Sequence, residues 1–141
     1  MKKVLVVGIV LLSGFIGYSV WKVVLKERIP LLSYTAEVNS IVGFAEQLIE
    51  KQRPPSTKKE ELEQGAQELR KRHHVLIERA SDVDKRRPSY RMTDDIVMQI
   101  EYAAQQPLEK AVVEARFKKA MELIGEVKPL LGTDQDKPQS N

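Results

Sequence analysis

His73 and His74 are the only imidazoles in a chain of 141 residues that contains no cysteine. Neighbouring side chains on a helix point about 100° apart, so the two histidines cannot act as one ligand pair. A zinc site on a single helix takes ligands at i and i+3 or i+4. His74 and Glu78 have that spacing, but two ligands do not hold a metal, and no metal or cofactor is expected. The absence of cysteine excludes a disulfide scaffold, a thiolate zinc site and a cysteine nucleophile. Catalysis by paired carboxylates needs a pocket that drives their pKa values apart, and Asp94–Asp95 has a sufficient role at a helix start. No GxSxG, P-loop or GxGxxG pattern occurs, so no catalytic residue is assigned and no enzyme is expected.

Charge carries the next signal. The formal net charge is +3, from 23 basic and 20 acidic residues. Residues 1–28 hold five of the bases (Lys2, Lys3, Lys22, Lys26, Arg28) and only Glu27 among the acids, so the remainder has 18 bases against 19 acids. The surplus therefore flanks the N-terminal segment and gives no argument for nucleic acid. One local anomaly stands out. From Arg70 to Arg91, eight basic residues face Glu78, Asp82 and Asp84. Within it Lys85, Arg86, Arg87 and Arg91 form a candidate patch for lipid phosphates or an acidic protein surface. Nucleic acid is not the expected partner, because Tyr90 alone offers a stacking ring there.

These residues need elements to position them, and the clearest is N-terminal. Val4 to Trp21 carries no charge, and only Lys22 interrupts the apolar run to Leu25. At about 1.5 Å per residue, such a helix crosses a hydrocarbon core of about 30 Å. Lys22 can snorkel to the headgroups beside Tyr18 and Trp21. A cleaved secretory signal is the competing reading, but the apolar core is long and ends without a small-x-small cleavage site. A retained single-pass anchor over residues 4–25 is expected, with the bilayer as a partner. Within it, Ser13 and Gly17 make a small-xxx-small pair suited to close helix packing. Basic flanks on both sides nearly cancel the positive-inside signal. The short basic head favours the N-terminus in the cytoplasm, placing the rest outside a bacterial cytoplasmic membrane.

Four amphipathic helices are expected after Ile29–Pro30. Tyr34, Val38, Ile41, Ala45 and Leu48 alternate at spacings of four and three along a helix over 32–52, closed by Arg53–Pro54–Pro55. Thr57 and Glu60 have capping-box spacing for the second helix. Its seam runs through Leu62, Ala66, Leu69, His73, Leu76, Ala80 and Val83. Thr93 with Asp94 and Asp95 is the expected start of a third helix, over Ile96, Val97, Ile100, Ala103 and Ala104. Pro107 suits the first position of a fourth, with Val113, Phe117, Ala120, Ile124, Val127 and Leu131 on its seam. No strand is expected.

The expected organisation is thus an anchor with basic flanks over 1–28, an all-α bundle or helical hairpin over 29–132, and a disordered polar tail over 133–141. Leu62, Leu69, His73, Leu76, Val83, Val113, Phe117 and Ile124 are the candidate protein-contact seam. The function this organisation suggests is a non-enzymatic structural or adaptor subunit of a membrane complex, meeting other subunits or copies of itself. The alternative is an anchored or secreted helical domain that binds a ligand or senses one. An exposed apolar stripe would favour the first, and an apolar pocket with convergent polar groups the second.

Overall fold

A computed structural model describes residues 30–105 and 108–140, with side chains from Tyr34 onward. The expected membrane span over 4–25, its Ser13–Gly17 pair and Pro107 lie outside the described residues. Those described form four helices and no strand: α1 (Pro30–Lys51), α2 (Lys59–Arg79), α3 (Pro88–Gln105) and α4 (Lys110–Leu130). Two short 3-10 turns, Asp84–Arg86 and Asp134–Asp136, complete the order. None of these helices is long and apolar enough to cross a membrane.

The helices run antiparallel in sequence order. Arg79 bonds Glu37 and Arg72 bonds Ser40 between α2 and α1, while Arg70 pairs with Glu101 and His73 faces Asp94 between α2 and α3. Arg116 bonds Gln99 across α3 and α4, and Lys128 reaches Glu46 to close the ring onto α1. A Cβ on Gly65 would overlap the Leu48 side chain, so a glycine lets α1 and α2 approach there.

The seams form one core. All five alternating residues of α1 are buried, as are Leu62, Ala66, Leu69, His73 and Leu76 on α2. Val42, Ile49 and Leu123 are also buried, which broadens the stripe beyond alternating positions, as a helix in a packed bundle requires. In α4, Val113, Phe117, Ala120, Ile124 and Val127 point inward. Gly132, at φ 76°, takes the left-handed turn after α4 that a side chain would oppose.

Several expectations need correction. The Thr57–Glu60 capping box does not form: Thr57 donates its hydroxyl to the Gln52 carbonyl at 2.6 Å, and Gln52 Oε1 accepts the Lys58 N–H at 2.8 Å. α2 stops at Arg79 because Ala80 turns extended, so Val83 falls off the seam and is 46% exposed. α3 starts five residues before Thr93, at Pro88. Thr93 is buried inside the helix and donates to the Ser89 carbonyl at 2.7 Å. α4 begins at Lys110, after an extended Glu109. The polar tail is docked: Asp136 is buried, and the Gln139 N–H bonds the Arg86 carbonyl at 3.1 Å.

Candidate functional site

The docked tail answers a need of α3. Four N–H groups at a helix start lack helical acceptors, and Arg87, the residue before Pro88, has no side-chain acceptor to offer. Asp136 supplies it from 47 residues away, accepting the Ser89 N–H at 2.9 Å and the Ser89 hydroxyl at 2.6 Å. A carboxylate there also opposes the positive end of the helix dipole. Because the single Ser89 hydroxyl hydrogen goes to Asp136, Tyr34 must donate its own to Ser89 Oγ, 2.7 Å away. Burial pushes the Tyr34 phenol up to about 12, and the nearby Asp136 and Asp84 charges push the same way. Tyr34 is a neutral donor at any physiological pH.

Arg87 ties the same end together. Its Nε donates to Asp84 Oδ1 at 2.8 Å, its Nη1 to the Asp136 carbonyl at 2.7 Å, and its guanidinium lies 5.6 Å from the centre of the Tyr34 ring. Ser81 donates to Asp84 Oδ2 at 2.8 Å and accepts the Asp84 N–H. Arg86 is less well served, for its Nε is buried with no partner among the described residues.

This geometry divides the candidate anionic-partner patch. Arg87 is held inside the network, and Arg86 is partly buried, whereas Lys85 and Arg91 are exposed. The run Lys85–Arg86–Arg87 of that patch is therefore not a free surface. Most of the surrounding basic window is also paired within the chain: Arg70 with Glu101, Arg72 with Glu68 while stacked on Phe44, and Arg79 with Glu37.

Seven of the eight candidate contact residues are buried in the chain's own core. Val83 alone is exposed. The histidines separate as their spacing requires. His74 is at the surface, 3.1 Å from Glu78. His73 is buried with Nε2 3.4 Å from Asp94 Oδ1, within ion-pair reach but without a hydrogen bond. Burial lowers its pKa below 6.5 and outweighs the opposing pull of Asp94 and Glu101, while His74 adds to the lowering. Among the described residues no group of three or more His, Cys, Asp or Glu could hold a metal ion.

Two surface features escaped the seam patterns. The exposed large apolar side chains among the described residues are Val75, Ile77, Val83, Met98 and Tyr102, all on the α2–α3 hairpin. Met98 and Tyr102 share a face, and the Arg116 guanidinium lies 5.2 Å from the Tyr102 ring centre. The second feature is a groove of about 550 Å³ lined by Ile49 on α1, by Arg53 and Pro54 in the connection after it, and by Glu114, Phe117, Lys118, Met121 and Glu122 on α4. It could not be read from periodicity, because the connection after α1 lines it together with α4. Comparison with family models, curated proteins and solved structures finds no match for the chain.

Proposed function

We propose that this chain is a membrane-anchored, non-enzymatic adaptor or structural subunit of a membrane protein complex. It meets another subunit, or a second copy of itself, through the outer face of the α2–α3 hairpin. The observation that carries this reading is that, among the residues from Tyr34 onward whose side chains are described, every exposed large apolar side chain lies on that hairpin. Lys71 and Arg91 are exposed on the same helices, which suits a partner with acidic rim residues. The apolar run over 4–25 supplies the anchor, with the helical domain outside the cytoplasm.

Photo-crosslinkers placed at Ile77 and Tyr102 in the full chain, in its native membrane, test the contact. Discrete adducts are expected from these two sites and not from the exposed Glu50 and Glu126 on α1 and α4. Equal or absent adducts from both sets would defeat the reading. Carbonate extraction and protease access on intact spheroplasts test the anchor and its direction.

A further inference from the structure

One buried group of the α2–α3 hairpin is held without the bonds its charged form would need. The His73 side chain is 9% exposed, and its Nε2 is buried with no hydrogen-bond partner among the described residues. Asp94 Oδ1 on α3 faces it at 3.4 Å, from a side chain that stands half in water, where its charge is screened. A neutral imidazole has one N–H and one acceptor nitrogen, whereas an imidazolium has two N–H donors and a charge. The charged form needs water or a closer acceptor at Nε2, and the packed seam supplies neither.

The groups that act on the ring come from α2 and α3. Asp94 and Glu101 favour its protonation and His74 opposes it. Glu101 is held by Arg70 at 2.8 Å, His74 lies 3.1 Å from Glu78, and Arg72 is paired with Glu68. The side chains that α4 buries are all apolar, and the one titratable side chain that α1 buries is Tyr34, a neutral donor. The position of the ring matters as much as its chemistry. Ile77 follows His73 by four residues and Met98 follows Asp94 by four, so each of these exposed apolar side chains lies one helical turn from one member of the pair. The separation of α2 and α3 at this level therefore sets how Ile77 and Met98 stand across the hairpin.

We infer, resting on the reading of the α2–α3 face as the contact surface, that His73 makes this face proton-sensitive: when the ring gains a proton, α2 and α3 part at the level of His73 and Asp94 and the face releases its partner. Linkage fixes the direction. The exposed ring takes a proton at its ordinary value of 6.5 and the buried ring only at a lower one, so acid raises the open population by up to about tenfold per pH unit between the two.

Hydrogen exchange of the full chain in lipid nanodiscs, at about pH 7.5 and about pH 5.5 and corrected for the chemical pH dependence of exchange, reads the opening. Amides around His73 and Asp94 are expected to lose protection by up to about tenfold at the lower pH, and to stay below the best-protected amides of α4 throughout, since local opening costs less than global unfolding. His73→Leu, which keeps an apolar side chain on the seam, is expected to abolish the acid response. Asp94→Asn, at a half-exposed position, removes a charge that favours the buried imidazolium, so the loss of protection is expected to continue to lower pH than in the parent. An equal acid response in His73→Leu, a response in Asp94→Asn that ends where the parent's does, or protection around His73 equal to the best in α4 would each overturn the inference. Photo-crosslinking from Ile77 in the native membrane reads the consequence, with adducts expected to fall at the lower pH in the parent and to hold in His73→Leu. Adducts that hold in the parent while its amides open would overturn the proton control and leave the contact standing. Adducts absent at both pH values would defeat the contact itself, and the control of it as well.

Discussion

The start of α3 and the groove beside α1 and α4 treat their polar groups in opposite ways. Where α1 and α3 begin and the tail returns, Tyr34, Ser89, Asp136, Arg87 and Asp84 are removed from water and bonded to one another. Where α1 ends against α4, Arg53 and Lys118 stand in solvent above apolar side chains. Burial makes an unpaired polar group costly, so the first arrangement dictates which segments must come together. Exposure removes that cost, so the second leaves its charges available. At that second end the buried Gln52 is bonded to Glu61 and to the Lys58 N–H, so what separates the two places is burial: a group taken out of water is paired, and an exposed one is left to solvent.

Both ends rest on the apolar middle, and the largest effects are expected there. Leu69 and Leu76 are 0% exposed, so each replacement by alanine should cost about 2–5 kcal/mol through lost burial and an unfilled cavity. Denaturant unfolding of each variant measures this. A loss below about 1 kcal/mol would mean that the middle is not close-packed and that the polar end carries more of the stability than burial implies.

The contrast itself is tested next. Asp136→Ala leaves the Ser89 N–H and hydroxyl without their acceptor inside the fold, with an expected cost of about 1–3 kcal/mol. Arg53→Gln and Lys118→Gln should each stay within about 0.5 kcal/mol of the parent, as exposed substitutions do. Truncation after Gly132 should cost more than Asp136→Ala, because it also removes the Asp136 carbonyl that Arg87 bonds and the Gln139 N–H that bonds the Arg86 carbonyl. If Asp136→Ala costs no more than Arg53→Gln, the tail rests on the bundle without contributing to it.

The middle was legible in the sequence and the ends were not. Spacings of four and three identify Leu62, Leu69 and Leu76 as inward, since a helix turns its faces by a fixed angle whatever it packs against. The same periodicity extends to Val83, because it holds no information about where the backbone leaves the helix. Ser81 and Asp84 end it with a local turn that a heptad pattern cannot register. Thr93 resembles a cap by residue type, but the acceptor α3 uses is Asp136, which tertiary contact alone brings there. TDQDKPQSN has the composition of a free tail, and only one of its nine residues is buried among those described. A single well-placed carboxylate is invisible to composition. The groove was missed for a related reason: it is lined jointly by the connection after α1 and by α4, a meeting that no spacing records.

His73 sharpens the comparison from within the seam, as a buried polar group lacking the bonds that satisfy the Tyr34 end. Its folded-state pKa is lowered below 6.5, so folding favours the neutral ring. Above pH 6.5 neither state carries the proton and the contribution to stability is complete. As pH falls from 6.5 through the lowered folded value, the unfolded chain takes up a proton that the folded chain resists, and stability is lost. Asp94 and Glu101 on α3 oppose this loss and His74 on α2 adds to it. Urea midpoints should therefore decline across this window in the parent and hold steady in His73→Leu. Equal declines in both would assign the acid limb to carboxylates instead.

Within the polar end the smallest expected loss belongs to Tyr34, at its centre. Tyr34→Phe removes one hydrogen bond donated to Ser89 Oγ, yet it leaves Ser89 its bond to Asp136 and leaves the ring in the core. The expected cost near neutral pH is about 0.5–1.5 kcal/mol, because an oxygen that still donates has lost only one of its two partners. Alkali reads the phenol more directly. Its pKa stands at about 12 in the fold against 10.0 when unperturbed, so the fold holds the proton after the unfolded chain has released it. Its stabilisation is complete below pH 10 and is lost as pH rises from 10 through 12. Unfolding of parent and Tyr34→Phe over that range, taken as a difference, cancels the lysines that titrate alongside. The variant should lose less stability than the parent as pH rises. Parallel alkaline limbs would show that the phenol reaches water, and the distinction between a sealed polar end and an open charged one would fail at its central residue.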